Sequence, residues 1–267
     1  MSVPCVLSVA GSDPTGGAGI ESDLRVFQAM GVHGAAVATA LTTQTPNAVL
    51  GVSEVPPQDL RARLGAVLSS LNIAVVRVGM LPTLEGAKSL VASLEEVSFG
   101  GWIVVDPVMF STSGYVLADV KTVRWLVSQL GSRRVLLTPN HFEATALAES
   151  DLSDADRLAP ELSRQFGANV LVTGGDLEGG LSRDILAKVE EASIHVFEST
   201  RFSGPSPHGT GCAFAAAISA GLARGCELSD AVQVAKDFVT RAIEQAFQAD
   251  PEAPGGRFLL RFSNEIV

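Results

Sequence analysis

Short runs of aliphatic and β-branched residues alternate with longer helix-periodic stretches along most of this chain, and that alternation leaves few folds open. Strands are expected at 6–10, 35–42, 75–79, 102–106, 135–138 and 169–173. Helices are expected at 20–30, 57–71, 84–97, 120–130, 142–149 and 154–166. A strand followed by a helix, repeated, winds a mostly parallel sheet covered by helices on both faces. Past residue 180 the rhythm changes. The stretch 183–202 reads as a pair of short strands, and two long helices follow at about 210–224 and 229–247. The expectation is one α/β domain over residues 1–267, with a loose Pro/Gly-rich tail from about 250 in which 258–262 can dock back on the body.

Composition narrows the function. Apolar residues make up 46% of the chain, enough for a sizeable core, and the formal charge is −10. An acidic surface repels nucleic acid and anionic membrane, so neither is an expected partner. Any phosphate must be held locally, by backbone N–H groups or a few cations. The three cysteines, Cys5, Cys212 and Cys226, form no CxxC pair, which suits a reducing compartment. Cys5 and Cys226 are assigned to packing, and His33, His141 and His195 to surface or core. The first residues read as a strand with no targeting pattern, and the longest apolar helical stretch, 212–222, falls short of the ~20 residues that span a bilayer. The expected location is cytoplasmic.

Polar or glycine residues stand just past nearly every expected strand: 11–13, Gln44, 79–80, Asp106, Asn140 with Glu143, and 174–175. In open α/β sheets ligands bind outside the carboxyl ends of the strands, so six such stretches favour a site there. The glycine-rich segment 11–19 fits neither a dinucleotide fingerprint nor a Walker loop. It is either a tight βα loop or a close approach to a ligand. Asp23 either supports the dipole of the next helix or contacts substrate. Gln44 offers a donor and an acceptor to the edge of an aminopyrimidine or pyridine ring, or faces water. Asp106 leaves an apolar run, where a carboxylate needs a cation, donors or a water-bound Mg²⁺. Asn140 and Glu143 either form a helix cap or reach a metal-bound water. In His208-Gly209-Thr210-Gly211-Cys212, two glycines at a helix start expose consecutive N–H groups to an anion. A cysteine there is expected to have a lowered pKa, whereas the small residues after it fit close packing.

The ordered set AGSDPTGGAGIESDL, Gln44, Gly79-Met80, VVDPVM, TPN-xx-E and HGTGC resembles the hydroxymethylpyrimidine/phosphomethylpyrimidine kinases of thiamine biosynthesis, in the ribokinase superfamily. The resemblance runs from about residue 5 to 245. It implies a ribokinase-like three-layer α/β/α fold with no separate lid, ATP and Mg²⁺, two successive phosphorylations of a small pyrimidine alcohol, and a homodimer. By the same resemblance Gly11, Asp23, Gln44, Met80 and Val108 line the pyrimidine pocket. Asp106 and Glu143 serve Mg²⁺, and Asp106, Asn140, Thr173, Gly175 and Thr210 serve the nucleotide and its phosphates. Gly209 and Gly211 form the anion hole, and Cys212 is the general base. One departure stands out. The family usually carries Lys-Gly-Gly-His after the sixth expected strand, and here the stretch is Thr173-Gly174-Gly175-Asp176. A phosphate-facing cation is therefore expected to be missing. Two other readings follow, a pyridoxine or pyridoxal kinase and a weakened pyrimidine-binding paralogue.

Overall fold

The alternation read from the sequence resolves, in a computed structural model, into one nine-stranded sheet. The structure describes residues 3–45, 47–111, 114–131, 134–149, 152, 154–175, 180–202, 207–249 and 258–263. The first half is β1 (Cys5–Ser12), α1 (Gly19–Ala29), β2 (His33–Gln44), β3 (Val49–Glu54), α2 (Pro57–Ser70), β4 (Ile73–Val78), α3 (Leu84–Glu96) and β5 (Trp102–Val105). Then come α4 (Val120–Leu130), β6 (Val135–Leu137), α5 (His141–Ala148), α6 (Ala155–Phe166), β7 (Asn169–Val172), β8 (Leu181–Ala187) and β9 (Ile194–Thr200). The last elements are α7 (Thr210–Ala223), α8 (Leu228–Glu244), β10 (Phe247–Gln248) and β11 (Phe258–Leu259).

The strand order is β3-β2-β1-β4-β5-β6-β7-β8-β9. The six strands from β2 to β7 in that order run parallel, and β3 and β8 are antiparallel to their neighbours. This is the ribokinase-like α/β/α arrangement. Side chains alternate across the sheet, as the pleat requires. Leu7, Val9, Val76, Val78, Ile103 and Val105 pack under one helical layer, with Leu64 of α2, Leu90 of α3, Leu126 of α4 and Leu162 of α6. Val6, Val75 and Val104 face the other, with Phe27 of α1, Ile218 of α7 and Val232 of α8. From Ala213 to Leu222 every residue of α7 is buried. Its alanines let the helix lie close to the strands, so small-residue packing accounts for 213–217.

Among the described residues no helix is long and apolar enough to cross a membrane. The expected docking of the tail is present for 258–262. Phe258–Leu259 pairs with Phe247–Gln248, Leu260 is buried, and Phe262 stacks on Phe238 with ring centroids 5.8 Å apart. Of the expected loose tail, residues 250–257 and 264–267 lie outside the described residues.

Candidate active site

All six polar stretches that follow the strands reach one cleft of about 940 Å³ along the carboxyl edge of the sheet. That is near the top of the ~300–1,000 Å³ usual for ligand pockets. Gly11, Gln44, Met80 and Val108 line one end, at the tips of β1, β2, β4 and β5. Ala40, Met80 and Leu117, with Val52 and Val108 against them, make a small apolar cluster there. Thr39 fixes the Met80 backbone, its hydroxyl donating to the Met80 carbonyl at 2.6 Å. A side chain on Gly11 would press on the Met80 sulfur. This end can clamp a flat ring between apolar walls while Gln44 meets its polar edge.

The middle of the cleft is built by the start of α7. Gly209, its N-cap, has φ 81°, and a Cβ there would collide with the Gly17 carbonyl, so only glycine fits. Among the described residues no side chain caps this helix, so its first N–H groups are open to an anion. Gly211 differs: it is exposed and a Cβ would meet nothing within 4 Å. Cys212 lines the same part of the cleft beside Asp106 and Arg77. The expectation of a lowered thiol pKa is corrected. Burial pushes it up to about 12, with Asp106 and Asp23 adding to the rise and Arg77 opposing it. Cys212 is therefore a thiol at neutral pH, and the helix dipole does not make it a thiolate.

Beneath Cys212 lies a charged cluster that the sequence reading missed. Arg77 of β4 is fully buried, its Nη2 donating to Asp106 Oδ2 at 2.8 Å and its Nε standing 3.3 Å from Asp23 Oδ2. Ser8, opposite Arg77 in the β1–β4 register, donates to Asp23 at 2.5 Å. Burial raises the Asp23 pKa to about 6 despite Arg77 and Ser8, and burial likewise raises that of Asp106 against the pull of Arg77. Arg77 stays charged: burial opposes the charge, but Asp23 and its neighbours more than restore it. Asp23 is wholly buried and is not among the cleft-lining residues, so the expected substrate contact is corrected to a supporting role behind Arg77.

Asn140 and Glu143 form the capping box of α5, Asn140 Oδ1 accepting from Glu143 N at 2.9 Å and Glu143 Oε2 from Asn140 N at 3.0 Å. Glu143 Oε1 accepts from Met109 N at 3.2 Å. Both residues also line the cleft. Among the described residues no three His, Cys, Asp or Glu side chains gather as a metal cage. Asp106 and Glu143 fit instead a Mg²⁺ that keeps most of its waters and takes the rest of its shell from phosphates.

The loop after β1 is tied to the loop before α7. Asp13 accepts from Thr15 N at 2.8 Å and Ala18 N at 2.9 Å, and its Oδ2 lies 3.1 Å from His208 Nε2. Burial works to raise the Asp13 pKa, but hydrogen bonds from His208, Thr15 and Gln44 outweigh it and bring the pKa to about 2. At the other end of the cleft stand Thr173 and Gly175, while Thr210, the first residue of α7, lines its middle. Asp176 lies outside the described residues. Thr173 stands in the cleft where the family's lysine is usual, so that cation is missing as expected, and Arg77, Arg201 and Lys236 line the cleft from other elements. Two of these had a visible signal. Arg77 interrupts an otherwise apolar strand, and Lys236 falls on the apolar stripe of α8 with Val232 and Val239.

A family model described as phosphomethylpyrimidine kinase matches residues 13–254. A Geobacter sulfurreducens protein named thiamine biosynthesis bifunctional protein ThiED is 41% identical over 244 residues, which cover 90% of this chain and 49% of that protein. The chain thus spans about half the length of that bifunctional relative. A Rhizobium meliloti hydroxymethylpyrimidine/phosphomethylpyrimidine kinase is 37% identical over 244 residues, 90% of each chain. Among solved structures, an ADP complex of Bacillus subtilis pyridoxal kinase superposes with a TM-score of 0.85 at 30% identity, covering 98% of both chains.

Proposed function

The chain belongs to the phosphomethylpyrimidine kinase family, and from that premise we propose that it moves the γ-phosphoryl group of ATP onto hydroxymethylpyrimidine and then onto the resulting monophosphate. The observation that carries this reading is the order of parts along one cleft: a ring pocket with Gln44, the uncapped start of α7, then the Thr173–Gly175 end. An alcohol held at the first end faces the anion-binding N–H groups in the middle, where an in-line transfer needs its charge neutralised.

In this reading Gly11, Met80 and Val108 orient the ring and Gln44 reads its edge. The N–H groups from Gly209 to Cys212 cradle the transferring phosphoryl group. Asp106 and Glu143 would hold a hydrated Mg²⁺, whose contribution is to neutralise charge on the β- and γ-phosphates. A thiol with a pKa near 12 is a poor general base, so Cys212 acts chiefly by position. The carboxylate beside it, Asp106, lines the same part of the cleft and is a second candidate acceptor for the alcohol proton. A loose phosphoryl transition state asks little of either.

The test is turnover. Purified protein with Mg·ATP and hydroxymethylpyrimidine should release ADP and yield first a monophosphate and then a diphosphate by mass spectrometry. No ADP above the rate without pyrimidine would sink the reading. A pyridoxine kinase is the second reading, favoured by the likeness to the pyridoxal kinase structure. Competition between the two alcohols in the same assay separates them, because the preferred one has the larger kcat/KM.

A further inference from the structure

The geometry points to Arg201 as the cation that meets the polyphosphate of the nucleotide. Three Lys or Arg side chains line the cleft among the described residues. Two are neutralised inside the protein: Arg77 stands between Asp23 and Asp106, and Lys236 Nζ donates to Asp184 Oδ2 at 2.7 Å. Arg201 has no carboxylate partner among the described residues. Its Nη1 donates to the Gly175 carbonyl at 2.6 Å and its Nη2 to the Gly174 carbonyl at 3.0 Å. Carbonyls orient a guanidinium without cancelling its charge. Among the described residues its Nε is buried without a hydrogen bond, and three of its five N–H donors have no partner there.

The seat of Arg201 is itself held. Asp184 Oδ1 accepts from Gly174 N at 2.9 Å while its Oδ2 holds Lys236. The Gly174 backbone under Arg201 is thus anchored to a buried ion pair before any ligand arrives. Arg201 follows the end of β9, on the opposite side of the sheet from the ring pocket at β1, β2 and β4. With the acceptor at that pocket and the transferring group at α7, the nucleotide approaches from the β7–β9 side. Its phosphates then pass a positive charge that no carboxylate of the described residues cancels. This assignment rests on the kinase reading for the direction of the nucleotide, and not on which alcohol accepts the phosphoryl group.

Calorimetric titration of the protein with ADP, AMP-PCP and adenosine tests it, comparing wild type, R201Q and R201K. R201Q should weaken ADP and AMP-PCP by about 10- to 100-fold, the range for a hydrogen bond to a charged group, and leave adenosine unchanged. R201K should retain most of the ADP affinity. Unchanged ADP binding by R201Q, or an equal loss for adenosine, overturns the assignment. If R201Q loses its thermal transition, R201K decides: near-wild-type ADP affinity supports a role for the charge, and loss supports a mere prop for the carbonyls and overturns it. Wild-type protein that binds ADP but phosphorylates no pyrimidine overturns the proposed substrate alone. Failure to bind ADP overturns both.

Discussion

Replacing Arg77 with methionine removes the cation from beneath the active centre while keeping much of its volume. Asp23 and Asp106, at 0% and 7% exposure, then share a buried site with no positive partner. Breaking a buried pair in this way costs about 3–5 kcal/mol. At about 2–4 °C per kcal/mol for chains of a few hundred residues, Tm falls by roughly 6–20 °C near pH 8. The loss depends on pH with a definite sign. A carboxyl whose folded pKa is raised, as that of Asp23 is to about 6, favours folding fully only below its unfolded pKa and loses that contribution as pH rises through the folded value. Without Arg77 the raised values climb further, at about 1.4 kcal/mol per unit, so protonation relieves the variant at pH 5 and not at pH 8. Calorimetric melts of wild type and R77M at the two pH values measure this, and adding Asp23→Asn to R77M should recover part of the loss at pH 8. An equal Tm deficit at both pH values would refute the reasoning.

Cys212→Ala should lower kcat by about tenfold or less with KM for the alcohol little changed, since positioning and not thiolate chemistry is lost. The wild-type pH–rate profile should show no limb from a thiolate between pH 6 and 9, and steady-state kinetics across that range would expose one. Gly209→Ala and Gly211→Ala should separate fold from function. The first destabilises by about 1–3 kcal/mol in denaturant melts because of its positive φ and the Gly17 carbonyl. The second melts like wild type but weakens AMP-PCP binding, because its methyl group projects into open space near the anion site.

Much of the fold was legible because its elements bury one continuous face each. The expected and observed bounds of α4 coincide at Val120–Leu130, and most other elements differ by one to three residues. The strand β3 was missed because it is an edge strand with no buried residue, so no apolar alternation marks it. In the site, residues at strand ends could be found from their position alone. Arg77 and Lys236 could not be assigned partners, since Asp106 and Asp184 are 29 and 52 positions away. The thiol was misjudged for a related reason. A helix start is a local signal, whereas the burial and the carboxylates that raise the Cys212 pKa come from distant segments.

The short strand β11 has a bearing on when the loop before α7 is braced. His208 N donates to the Phe258 carbonyl at 2.9 Å, and Arg25 Nη2 reaches the Leu260 carbonyl at 3.4 Å. The loop that enters the anion site is therefore braced by residues made after the whole sheet. In synthesis from the amino end, the sheet and most of its helices can assemble while that brace is still inside the ribosome. The loop that leads into α7 gains this brace only when residues 258–260 emerge, after every strand of the nine-stranded sheet.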